Sequence, residues 1–226
     1  MIGGLAVYRS SIGKKAIMAV TGAILLGFVF IHMVGNLKLY IPDGGEHLNH
    51  YGEYLRELGV PLLVHGQALW MFRIVLLAAV VLHVLSAFQL WAMANSARGS
   101  AYDKKKSDPV VYLGMMMRLG GLAIGLFIIG HILHLTLGVH PDFVYGDVYH
   151  NVVTGFRNPI VAGLYVAAMI PLGVHIWHGG WSLFQTLGLN NRRWQWFWKT
   201  IAVLLALAIM VGNISFPTSV LLGLVQ

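Results

Sequence analysis

The stretch QALWMFRIVLLAAVVLHVLSAFQLWAMA, residues 67–94, decides the fold class. It contains one charged side chain, Arg73 near its start, and no acid. An α-helix needs ~20 apolar residues to cross a bilayer core, and this run exceeds that. Deep inside it sits His83. A titratable side chain at membrane depth is costly and marks function by default.

Four further runs read the same way: about 16–37, 119–139, 159–189 and 197–222. None of the five contains Asp or Glu, and Arg73 is the one arginine within them. With 58% hydrophobic residues and a mean hydropathy of +0.73, the 226-residue chain is no soluble globule. The expected fold is an all-α membrane protein, a bundle of five transmembrane helices in one domain, 1–226. The first run is too long for a signal-peptide core and lacks a small-x-small cleavage site. Pro171 falls inside the fourth span, where membrane helices tolerate it. Residues 48–58 in the longest loop read as a short interfacial helix. Trp194, Trp196 and Trp198 fit an interfacial aromatic belt.

Charge sets the expected orientation. With the N-terminus inside, the cytoplasmic segments hold Arg9, Lys14, Lys15, Arg98, Lys104, Lys105, Lys106, Arg118, Arg192, Arg193 and Lys199. Lys38, Arg56, Arg73 and Arg157 fall on the other side. The positive-inside rule therefore places the N-terminus in the cytoplasm and the C-terminus outside. The net charge of +7 thus reports topology, with a docking face for a soluble partner as the alternative, and does not point to nucleic acid. The chain has no cysteine, which removes iron–sulfur, thiolate-zinc and disulfide chemistry.

Four successive spans each carry a deep histidine: His32, His83, His131 and His175. A rise of 1.5 Å per residue puts His32 and His131 roughly 9–10 Å from the outer ends of their helices. The same rise puts His83 and His175 roughly 24 Å below the outer end. The four sort into two levels about 14 Å apart, one joining the first and third spans and the other the second and fourth. Neutral imidazole is the common protein ligand of haem iron, and two stacked bis-histidine sites need this arrangement. Small neighbours one helical turn away leave room for a macrocycle: Gly35 and Asn36 by His32, Ala79, Ser86 and Ala87 by His83, and Gly179 by His175. His134 and His178 follow His131 and His175 by three residues and share their faces, so either member of each pair could ligate. His47, His50, His65, His140 and His150 lie in or near outer loops, as solvated or quinone-site residues.

These residues resemble a known family. The opening Ser10-Ser11-Ile12-Gly13-Lys14-Lys15 leads into Met18-Ala19-Val20-Thr21-Gly22. His32 with Gly35-Asn36-Leu37 follows, then Leu48-Asn49 and Tyr51. The most specific stretch is His178-Gly179-Gly180-Trp181-Ser182-Leu183-Phe184-Gln185-Thr186-Leu187-Gly188. Over nearly its whole length the chain is similar to the five-helix dihaem cytochrome b subunit of bacterial succinate dehydrogenase and fumarate reductase (complex II). The resemblance implies that His32 and His131 hold an outer haem b, and His83 and His175 an inner one. The family's helix-three ligand follows an arginine by thirteen positions, as His131 follows Arg118; its helix-four ligand precedes a glycine by four and an aromatic by six, as His175 precedes Gly179 and Trp181.

The resemblance further implies a flavoprotein subunit, which carries the dicarboxylate active site, and an iron–sulfur subunit docked on the basic face. It implies electron transport to or from a quinone, with menaquinone expected, in a prokaryotic inner membrane and in service of the tricarboxylic acid cycle. Either direction, succinate oxidation or fumarate reduction, is open, as is a higher oligomer of the complex. Quinone candidates are Ser10, Ser11, Lys14 and Trp181 on the inner side and Asn49, His50, Tyr51 and Arg56 on the outer. Arg73, Arg118 and Lys38 are candidates to pair with haem propionates. Three other readings compete. A histidine-lined ion or proton transporter would mix carboxylates into its spans. A haem-free structural anchor would lack b-type absorption. The cytochrome b of another quinone-linked complex would lack the two quoted motifs.

Overall fold

The apolar runs form helices. A computed structural model of the protein describes residues 9–97 and 109–226, and these described residues are 79% helix with no strand among them. The described helices are α1 (Ser11–Asn36), which tightens into a 3-10 turn at Leu37–Tyr40, α2 (Glu46–Glu57), α3 (Gln67–Ser96), α4 (Pro109–Leu135), α5 (Val148–Arg157), α6 (Pro159–Thr186) and α7 (Gln195–Leu221). Five of them, α1, α3, α4, α6 and α7, are long and apolar enough to cross a membrane.

Local chemistry sets the helix starts. The Ser10 side chain accepts from Gly13 N at 3.0 Å and caps α1. Asn158 caps α6 in the same way, with Pro159 in the first turn, where its missing N–H costs nothing. Two helices depart from the sequence expectation. α4 begins at Pro109, ten residues before the expected start of its run at residue 119, because Val110 to Met117 continue the apolar run. Arg98, Lys104, Lys105 and Lys106, four of the expected cytoplasmic charges, lie outside the described residues. α5 was not expected at all; it forms between the runs 119–139 and 159–189 because the Asp147 side chain accepts from His150 N at 2.9 Å and caps it. The short helix expected at 48–58 is α2.

Packing orders the long helices as α3–α1–α6–α4, with α7 laid against α6 and α1. α3 and α4 share no extended seam. α1 is therefore diagonal to α4, and α3 diagonal to α6. The largest cluster of buried apolar side chains lies at one end, where Met33, Leu39, Leu48, Val153, Phe156, Phe216 and Val220 join α2 and α5 to the ends of α1 and α7. We call this the cap end and the opposite one the basic end. Lipid tails are as apolar as the helices, so burial drives little association at mid-depth. Water at the cap end restores that driving force, which explains where the core sits. Within the spans, hydroxyls bond back to their own helix: Thr21 to Ile17 O at 2.7 Å and Thr218 to Ile214 O at 2.7 Å.

Candidate functional site

Two pairs of imidazoles meet, each across a diagonal of the bundle. The rings of His32 on α1 and His131 on α4 stand 5.9 Å apart between centroids, at 86° to one another. The rings of His83 on α3 and His175 on α6 stand 6.2 Å apart, at 58°. In both cases the helices that supply the rings share no packed seam, so the side chains bridge a gap between backbones.

Two independent rulers give the height difference. Along α6, Tyr165 touches His131, and His175 lies ten residues further on, about 15 Å by helical rise. Along α1, the Thr21 hydroxyl touches His83, and His32 lies eleven residues further on, about 16 Å. The two pairs occupy separate levels, the first toward the cap end and the second toward the basic end.

Each pair has one ring anchored by a hydroxyl. Thr21 Oγ1 lies 3.2 Å from His83 Nδ1. Its proton already goes to the Ile17 carbonyl, so the Thr21 oxygen accepts from the imidazole. That fixes the His83 proton on Nδ1 and leaves Nε2 with a free lone pair. Gly22 makes room for the ring: a Cβ there would come within 3.3 Å of His83 Cε1. At the cap-end level, Tyr165 Oη lies 3.3 Å from His131 Nδ1 and 2.9 Å from His134 Nδ1. Phe28 stacks on His32 at 5.4 Å and Phe127 lies 5.8 Å from His131. His175 Nδ1 is buried with no hydrogen-bond partner among the described residues.

The alternates sit differently. His134 turns its Nε2 and Cε1 toward α5, where a Cβ at Gly155 would lie 2.6 Å from both. That nitrogen is buried and enclosed by packing. His178 takes no part in the contact between His83 and His175.

A bis-imidazole iron site fits this donor set. Two metal–nitrogen bonds of about 2 Å each, plus the reach from nitrogen to ring centre on both sides, require centroids on the order of 6 Å apart. Both pairs meet that separation. Beside His175, a Cβ at Gly179 would meet nothing within 4 Å, so open space adjoins the ring. Among the described residues no group of three His, Cys, Asp or Glu side chains is placed to hold an ion. Gly35 does something other than clear space for a macrocycle: its missing side chain admits Tyr51, whose Cε1 would lie 2.8 Å from a Cβ.

The other candidates disperse. At the cap end, Asn49 is engaged on both sides of its amide, its NH2 donating to Asp147 Oδ1 at 2.9 Å and its oxygen accepting from Tyr149 N at 2.9 Å. It pins α2 to α5. His50 is exposed, and Tyr51 lies under Lys38, 4.6 Å from its ring centre. Arg56 pairs with Glu53 at 2.8 Å. At the basic end Ser11 is exposed, while Lys14 is buried and donates to Gln89 Oε1 at 2.7 Å. Trp181 has a buried Nε1 with no hydrogen-bond partner among the described residues and carries Lys199 over its ring at 4.7 Å. A cleft of about 360 Å³ between α1 and α6 is lined by Ile12, Lys15, Ala16, Gln185 and Thr186, neighbours of the expected residues. Arg73 and Arg118 lie over Trp70 and Trp91, at 5.0 and 5.3 Å. The sequence reading missed Tyr165 as a ring partner; a tyrosine ten residues before His175, in an otherwise apolar stretch, was the available signal.

Neither protein-family models, nor characterised proteins, nor solved structures yield a match to this chain.

Proposed function

We propose that this multi-pass protein is the dihaem cytochrome b anchor of a succinate:quinone oxidoreductase in a prokaryotic inner membrane. The observation that supports it best is the meeting of imidazoles from diagonal helices, in pairs, at two heights. His32 and His131 would hold the outer haem b, and His83 and His175 the inner one. When bound, haems with both axial positions filled by imidazole pass single electrons and leave no coordination place for oxygen.

The chain's own residues supply the rest. The helices keep water from the rings and set their orientation, and Thr21 holds His83 with Nε2 turned away from the hydroxyl. The basic end, with Lys15, Arg118, Arg192, Arg193 and Lys199, offers an acidic iron–sulfur subunit a docking face, and a flavoprotein subunit completes the complex. The quinone, menaquinone by the family resemblance, exchanges two electrons and two protons. Lys15 and Gln185, in the cleft between α1 and α6, are the polar groups on the inner side best placed to meet its carbonyls. Tyr51 beneath Lys38 is the corresponding outer group.

The test is haem content and a reduced-minus-oxidised spectrum of the purified complex, with its co-purifying subunits identified. Two b-type haems per chain, together with a flavoprotein and an iron–sulfur protein, are expected. A haem-free chain with the same partners would make it a structural anchor. Haems with a different partner would move it to another quinone-linked complex.

A further inference from the structure

The cap-end imidazole pair has a feature the basic-end pair lacks. The hydroxyl that meets His131 also meets a second histidine, so three side chains form one hydrogen-bonded chain: His131 Nδ1, Tyr165 Oη and His134 Nδ1. A phenol has one proton to give. It therefore donates to one nitrogen and accepts from the other. The two arrangements differ in what His131 presents to the centre of the bundle. With the phenol proton on the His131 side, His131 carries its own proton on Nε2 and has no lone pair for a metal. With the phenol proton on the His134 side, His131 donates from Nδ1 and Nε2 is free.

Packing favours a phenol that stays in place. The Tyr165 ring is wedged edge-on between Phe127, with centroids 5.0 Å apart, and Phe156, 4.8 Å apart. His134 is held in turn by α5, its far side lying against Gly155. The oxygen is thus fixed by three elements, α4, α5 and α6, before any cofactor arrives. Hydrogen-bond partners of a metal-bound imidazole set its ring orientation and raise its basicity.

Building on the dihaem reading, we propose that Tyr165 is the positioning residue of the outer haem. It accepts the Nδ1–H of His131, donates its own O–H to His134 Nδ1 in a hydrogen bond, and so presents His131 Nε2 to iron as a more basic ligand. His134 serves as the hydrogen-bond acceptor at the end of this chain, which gives a role to a membrane histidine that does not ligate. The basicity favours ferric over ferrous iron at this site.

The experiment is Tyr165→Phe in the intact purified complex, read by potentiometric titration and by electron paramagnetic resonance of the ferric haems. The outer signal is identified as the one lost in His32→Ala. Phe keeps the wedge between Phe127 and Phe156, so haem content should stay at the wild-type value. The outer couple should move to higher potential, its resonance should change as the His131 ring is released, and the inner haem should move in neither. Loss of the outer haem alone from a folded complex also supports the assignment. Wild-type potentials and resonances for both haems in Tyr165→Phe would reduce Tyr165 to a packing residue. Absence of haem from the wild-type complex would sink the dihaem reading itself.

Discussion

The two imidazole pairs share a plan and differ in how a proton is placed. At the basic-end level the anchoring hydroxyl is Thr21, and its proton is committed to the Ile17 carbonyl of its own helix. The His83 tautomer is therefore set by α1 alone. At the cap-end level the anchoring hydroxyl is Tyr165, and two nitrogens from α4 compete for its single proton. That tautomer is set only when something binds His131. The ring geometry differs as well, 58° at the basic-end pair against 86° at the cap-end pair. One bundle thus builds a pair with a fixed donor pattern and a pair with a selectable one. In each, the partner ring, His175 or His32, is oriented by packing.

The largest effect that can break this comparison is loss of one member. On the proposed dihaem reading, His83→Ala or His175→Ala should remove the inner haem and keep the outer, halving haem per chain and uncoupling succinate oxidation from quinone. His134→Ala and His178→Ala should keep both haems, with shifted potentials at most. Haem extraction from purified variants reads this directly. Two haems retained in His175→Ala would dissolve the pairing.

A smaller effect sharpens it. Thr21→Val keeps the shape of the side chain and removes the oxygen that accepts from His83 Nδ1. The inner couple should rise in potential while the outer one holds, the mirror image of the Tyr165 result. The imidazole N–H keeps the Met18 carbonyl as an acceptor, so loss of this one hydrogen bond should also cost about 0.5–1.5 kcal/mol, visible as a slightly lower melting temperature of the complex. A shift of both couples together would mean that the two levels are not independent.

The legible parts of this molecule are those ruled by one-dimensional regularities. Hydropathy found the five long helices because each is a single uninterrupted apolar run. Helical rise paired His32 with His131 and His83 with His175 because 1.5 Å per residue holds whatever the packing. Partner contacts were not legible. Tyr165 lies in an apolar run where any aromatic reads as core, and its hydroxyl gains meaning only when α6 lies against α4. α5 was hidden because ten residues of mixed polarity read as loop until Asp147 is seen to cap them. Gly35 was read as space for a macrocycle because it lies one turn from His32, whereas in three dimensions α2 folds back and fills that space with Tyr51. Spacing along one helix cannot reveal what another element brings to it.

The smallest expected effect belongs to the cap end alone and has no counterpart at the other. α2 begins after Gly45, whose backbone is left-handed at φ 95° and offers no capping side chain. Asp43 supplies the missing acceptor, taking Gly45 N and His47 N at 2.9 Å each and the His47 ring besides. The His47 backbone N–H, with the His47 side chain and Gly45 N–H, holds the Asp43 carboxyl below the ordinary carboxylate range against the opposing effect of its partial burial. A carboxyl whose folded pKa is depressed stabilises the folded state above its unfolded pKa of about 4, and this contribution is lost as pH falls through the folded value. Amide hydrogen exchange in the Glu46–Glu57 helix should therefore quicken on acidification through that window, while the spans stay protected. In Asp43→Asn the exchange should be faster at neutral pH and nearly insensitive to this acid step. A wild-type helix whose exchange ignored the step, once corrected for the intrinsic pH dependence of exchange, would show that the carboxylate does not hold the start of α2.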